Sequence, residues 1–153
     1  MRKVQLVVLS VFLTIGAARV GRAHEGDDLP AGPIRDRHEL MHGIGDNAKV
    51  INDAVKAHDF SPVAGAAEKI EAATAKILPL FPQGSTDPKS RAKPEIWTQW
   101  PKFEEGVKQL QTAAAALSTA AKNNGDVPGA TKTLFGACKS CHDPFRVPEK
   151  EKS

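Results

Sequence analysis

Cys138-Lys139-Ser140-Cys141-His142, near the end of the chain, holds the residues best suited to do chemistry. In C-x-x-C-H the two thiols can add to the two vinyl groups of a haem, and the next residue offers an imidazole to its iron. The spacing suits a helix: Cys138 and Cys141 fall at i and i+3 on one face, about 5–6 Å apart, with His142 one turn above Cys138. Other uses of the dithiol fit less well. A thioredoxin-like pair sits at a helix N-terminus after a strand, where the macrodipole lowers the thiol pKa. This motif instead comes late in a helical segment, and the chain has no convincing strand. A zinc site needs two further ligands at metal spacing, and these are the only two cysteines. A disulfide across i and i+3 of a helix is geometrically awkward.

His38-Glu39-Leu40-Met41-His42 matches H-E-x-x-H, in which two histidines on one helix face bind zinc and the glutamate acts as general base. The pattern is short and a third ligand is lacking. With Met41 towards a core, His38 lies about 60° to one side and His42 about 100° to the other, on flanks with no obvious cleft. A zinc metallohydrolase is therefore the remote alternative.

Four apolar patterns position these residues. Pro33 suits a first helical position, and Met41, Ile44, Ala48, Ile51 and Val55 form a stripe to about His58. Gly43 and Gly45 interrupt it at about 1 kcal/mol each, a cost accepted where something bulky nears the backbone. Ser61-Pro62 opens a second helix along Val63, Ala67, Ile70, Thr74 and Ile77, ending at Phe81-Pro82. Gln83 to Lys93 is the one long loop. A third helix runs from Pro94-Glu95 to Asn123 through Ile96, Trp100, Phe103, Val107, Leu110, Ala114, Leu117 and Ala121, with Pro101 bending its first turns. After Asn124-Gly125, Val127-Pro128 opens a fourth, whose stripe of Thr131, Leu134, Cys138, Cys141 and Phe145 turns both cysteines to the core.

The expected fold is all-α: an antiparallel up-down-up-down four-helix bundle with one covalently attached haem. In that topology the start of helix one and the end of helix four share an end of the bundle. Met41 lies about 12 Å into helix one and His142 about 6 Å from the end of helix four, so the haem would lie between them. Leu80, Phe81, Ile96, Trp97 and Trp100 reach the same end and are expected in the pocket walls. Methionine is an established axial ligand, and Met41 is the expected distal one. If it only packs over the haem, the iron is five-coordinate. His38 or His42 is a lesser rival for the sixth site.

Residues 1–23 read as a secretory signal peptide: Arg2 and Lys3, an apolar run from Val4 to Ile15, then small residues ending at Ala23. The run is too short for an anchor, so no stable membrane insertion is expected after cleavage. Export to the periplasm suits both cysteines and haem attachment. Residues 24–32 are polar and Gly-rich and read as a flexible N-terminal arm, leaving 33–153 as the four-helix domain. Of the 21 basic residues, four lie in the signal, which leaves 17 against 18 acidic ones. No basic excess remains to suggest nucleic acid. The absence of tyrosine and the many alanines favour helices over a sheet.

With these residues placed, the chain resembles the class II cytochromes c, that is cytochrome c′ and its low-spin, methionine-ligated relatives. Three stretches carry the resemblance: Arg37 followed four residues on by Met41, Pro94-Glu95-Ile96-Trp97 with Phe103, and Cys138 through Arg146. Only the last is specific. The resemblance implies thioether attachment at Cys138 and Cys141, His142 as proximal ligand, Arg146 near the proximal face and Arg37 close to the haem propionates, where its fork suits a carboxylate. It also implies one haem c and either electron transfer to periplasmic redox partners or binding of nitric oxide or carbon monoxide, with no enzymatic activity. A homodimer stays open. Asp143-Pro144 departs from a smooth helix and should bend it just past His142.

Overall fold

A computed structural model describes residues 29–148. The expected signal peptide and the first part of the expected arm lie outside the described residues. Four long helices dominate: α1 (Pro33–Ala57), α2 (Val63–Thr74), α4 (Trp100–Lys122) and α5 (Val127–Phe145), with a short α3 (Glu95–Thr98) and a 3-10 turn (Leu78–Leu80) between α2 and α4. Among the described residues there is no strand, only one isolated bridge between Ala92 and Arg146. Nor is any helix among them long and apolar enough to cross a membrane.

Local chemistry sets most of the ends. Pro33 begins α1 after Gly32, whose φ of 102° favours glycine, and His58 closes it in the left-handed conformation. Asp126 caps α5, its carboxylate accepting from the Gly129 N–H at 2.8 Å. The helix runs through Pro144 and ends one residue later, so the proline sits in the last turn and the expected bend becomes a stop.

Two elements differ from the sequence expectation. Helix two ends at Thr74, and Ile77 to Phe81 continues as turn and 3-10 helix, because Pro79 removes a backbone donor. Helix three is broken at Gln99 rather than bent. Pro101 falls in the first turn of α4, where its missing N–H costs nothing, and α3 stands apart. The expected arm is also shorter: Leu29 is buried, and Arg35 Nε donates to its carbonyl at 3.1 Å.

The core is one cluster fed by every long helix, with Ile51, Val63, Ile70, Leu117 and Leu134 fully enclosed. Around the bundle, α1 packs on α2, α2 on α4 and α4 on α5. The remaining seam, α1 against α5, makes far less contact.

Candidate haem site

The thin seam opens into a cavity of about 610 Å³, within the usual range of cofactor pockets. Its α5 wall carries Cys138, Cys141 and His142, and its α1 wall carries Arg37, His38, Met41 and His42. Apolar groups from α3 and α4, among them Ile96, Phe103 and Val107, line the interior. Phe81 and Phe103 meet edge-on with ring centroids 4.9 Å apart, and Phe103 meets Phe145 edge-on at 5.5 Å.

Both thiols are free and half-buried. Burial pushes the Cys138 thiol above its ordinary pKa and, with Cys138 beside it, pushes Cys141 up to about 11. Both therefore rest as neutral thiols. His142 has one side in the wall and the other in solvent. Partial burial, then the nearby charges of Arg146 and Arg91, hold its pKa below the ordinary histidine value, and Asp143 opposes them. The neutral ring, the form that can ligate a metal, is favoured.

Gly106 of α4 faces Cys141: a Cβ built there would lie 3.4 Å from both the Cβ and the Sγ of Cys141. At Gly43 and Gly45 no atom of the chain lies within 4 Å of such a Cβ, and Gly45 lines the cavity.

Arg37 is 4 % exposed and donates to the Ser85 hydroxyl, the Ser85 carbonyl and the Ser90 hydroxyl, each at 2.8 Å. Its guanidinium also lies 4.8 Å from the centroid of the Phe81 ring. The loop it grips is fastened to the end of α5: Lys93 N–H donates to the Phe145 carbonyl at 2.9 Å, and Val147 N–H to the Arg91 carbonyl at 2.8 Å.

Arg37, Phe81 and Arg146 all reach the cavity wall. Trp97, Trp100 and Leu80 do not line it. The short α3 turns Ile96 inward and leaves Trp97 behind the wall, its indole N–H shared between the carbonyls of Phe81 (3.1 Å) and Pro82 (3.0 Å). His38 and His42 do line the cavity, contrary to their expected place on cleftless flanks, with ring centroids 6.3 Å apart. Among the described residues no group of three metal-binding side chains forms, so H-E-x-x-H gains no third ligand.

The residues present fit a haem. Two adjacent thiols and a neutral imidazole share one wall, the interior is apolar, and the charged groups lining the cavity are Arg37, Lys89, Arg91 and Arg146, with no carboxylate. Cations alone around the rim suit a flat apolar group that bears carboxylates.

The family model for cytochrome c′ matches residues 32–146. The chain belongs to the cytochrome c′ family. It is 30% identical over 118 residues to a cytochrome c′ of Rhodopseudomonas palustris, covering 74% of this chain and 81% of that one. A cytochrome c-556 of Agrobacterium fabrum is 32% identical over 140 residues, covering 88% and 94%. Among solved structures, a cytochrome c′ from Rhodopseudomonas palustris superposes with a TM-score of 0.71 at 27% identity, over 79% of this chain and 100% of that one. As a class II cytochrome c of this family, the protein is a four-helix haem protein, and its cofactor is a covalently attached haem c. Cys138, Cys141 and His142 would hold it.

Sequence reasoning missed Leu29, Gly106, and the serine pair that engages Arg37. A signal for Gly106 was present: it stands between Phe103 and Leu110 on the buried stripe of α4, where a glycine has no propensity reason to be. Nothing in the loop sequence pointed to Ser85 and Ser90.

Proposed function

We propose that the protein is a periplasmic electron carrier whose haem iron is ligated by His142 on one side and Met41 on the other. The observation that supports this is that Met41 of α1 and His142 of α5 line one cavity, with both attachment thiols on the wall beside His142. The cofactor supplies a one-electron iron couple. Imidazole and thioether ligation keeps the same donor set in both oxidation states, which suits electron transfer. The signal-like residues 1–23 and the need to attach haem outside the cytoplasm support a periplasmic location.

The test is the optical spectrum of the purified holo-protein. Methionine ligation gives the ferric form a weak long-wavelength charge-transfer band, which Met41→Ala removes while turning the iron high-spin. A broad high-spin spectrum of the unaltered protein in both oxidation states overturns the ligation. A Met41→Ala protein that stayed low-spin would identify His38 or His42 as the ligand, since both reach the cavity.

One observation favours a second reading, a five-coordinate iron that takes nitric oxide or carbon monoxide. Beside Arg37, His38 and His42, the α1 wall also carries Ile34 and Ile44, apolar groups suited to an uncharged diatomic. Relatives named cytochrome c′, c-554 and c-556 stand at similar identity, so names alone do not choose. The same spectrum separates the two. A homodimer is proposed by likeness to a 25%-identical cytochrome c′ described as having a ligand-controlled dimer dissociation. Sedimentation with and without carbon monoxide tests it.

A further inference from the structure

We propose that the corner formed by residues 83–93 and 139–147 is a docking face for an acidic redox protein, across which one electron passes to or from the iron. The proposal rests on the electron-carrier reading above.

Charge is distributed unevenly over the molecule. The corner holds Lys89, Arg91, Lys93, Lys139 and Arg146 against Asp87 and Asp143, five basic groups to two acidic. The other described residues hold ten basic groups against eleven acidic. Two carboxylates from the cofactor would still leave the corner positive. Outside the corner, residues 24–153 hold 12 basic groups against 16 acidic, so the chain as a whole is slightly acidic.

The corner is one continuous surface. The Ala92–Arg146 bridge joins its two segments, Lys93 Nζ donates to the Asp143 carbonyl at 3.1 Å, and Arg91 Nε donates to the Val147 carbonyl at 3.1 Å. It borders the cavity through Lys89, Arg91, His142 and Arg146. The proposed iron ligand His142 thus reaches solvent inside this face. Val147, also in it, is 45 % exposed, and only Val50 among the described large hydrophobics is comparably exposed.

An apolar contact set among mostly basic groups has the makings of a transient interface. The charges steer and orient the encounter, and the apolar contact permits close approach without slow release. An anionic lipid surface would feel the same charge. It would gain little apolar insertion from a single valine, so a protein partner is favoured. The balance is simple: ferrous iron gives one electron to the partner and becomes ferric, and no proton or bond is exchanged.

Two measurements test the face. The first needs no redox activity: retention of the apo- and holo-proteins on a sulfonate cation exchanger at pH 7. An acidic chain is retained there only through a local basic patch. Retention is expected, with loss in Lys89→Glu and no loss in Lys132→Glu, which changes the total charge equally from an exposed site in α5, away from the corner. The second is oxidation of the ferrous holo-protein by hexacyanoferrate(III), an anionic probe, between about 10 and 300 mM salt, where screening changes most. The rate should fall as salt rises and the fall should flatten in Lys89→Glu alone. A rate that rises with salt, equal effects of the two substitutions, or stronger retention by phosphatidylglycerol vesicles than by the exchanger overturns the proposal. Retention is independent of iron ligation, so failure of the face and failure of the electron-carrier reading are told apart by retention and spectrum.

Discussion

Gly106 and Cys141 face one another across the α4–α5 contact so closely that a side chain on the first would rest against the sulfur of the second. An alanine just fits at 3.4 Å and gains about 1 kcal/mol of helix propensity, so Gly106→Ala should leave the apo-protein as stable or slightly more so. Gly106→Leu should overpack the seam by about 1–3 kcal/mol and push Cys141 from its place. Thermal unfolding of the apo-protein and the yield of covalent haem per chain measure both. A full yield in the leucine variant would show that the close approach does not matter for attachment.

Arg37→Met should cost about 2–4 kcal/mol, since it removes three charged hydrogen bonds and the contact with the Phe81 ring. The joint change Ser85→Ala with Ser90→Ala keeps the charge but removes two acceptors, and should cost less. Both should speed hydrogen exchange at the Lys93 and Val147 amides, which belong to the loop seam and not to Arg37 itself. If Arg37 served only a cofactor carboxylate, the serine changes would leave those amides untouched.

Asp126 and Gly129 are coupled. Asp126→Ala removes the α5 cap and should cost about 1 kcal/mol. Gly129→Ala drives a methyl group into the Asp126 carboxylate, so the cap must move and the propensity gain is cancelled. Once Asp126 is alanine, the same Gly129→Ala should stabilise by about 1 kcal/mol. A double-mutant cycle by denaturant unfolding reads this sign reversal, and simple additivity would exclude it.

Glu68 on α2 binds Lys122 and accepts from the Ser118 hydroxyl at 3.3 Å on α4. The Lys122 hydrogen bond, ahead of its charge, holds the carboxyl below its ordinary value of 4.5. A folded pKa that is depressed gives stability present above the unfolded value and lost as pH falls through the folded one. Acid unfolding below about pH 4.5 should therefore be less steep in Glu68→Gln, by a small amount because the pair is exposed. An unchanged slope would show that the pair contributes nothing.

The four long helices, their order and the two ends of the bundle were legible in the sequence because the three-four stripes are long and the punctuation by proline and glycine is strong. That Cys138, Cys141 and His142 share one wall was legible because one turn of helix holds all three. The break at Gln99 was not legible because a proline five residues into a stripe, as Pro101 is after Ile96, reads equally as a bend or as a fresh start. Trp97 was misplaced for the same reason, since its direction depends on that break. The grip of Arg37 on Ser85 and Ser90 could not be read, because polar contacts across 48 and 53 residues leave no local pattern.

The weak seam between α1 and α5 has a consequence for how the molecule is finished. Three sides of the bundle are closed by side chains that the polypeptide supplies itself, and the fourth is spanned largely by an opening that fits the cofactor. A haem held there would tie α5 to α1, so the cofactor would belong to the tertiary structure as well as to the chemistry.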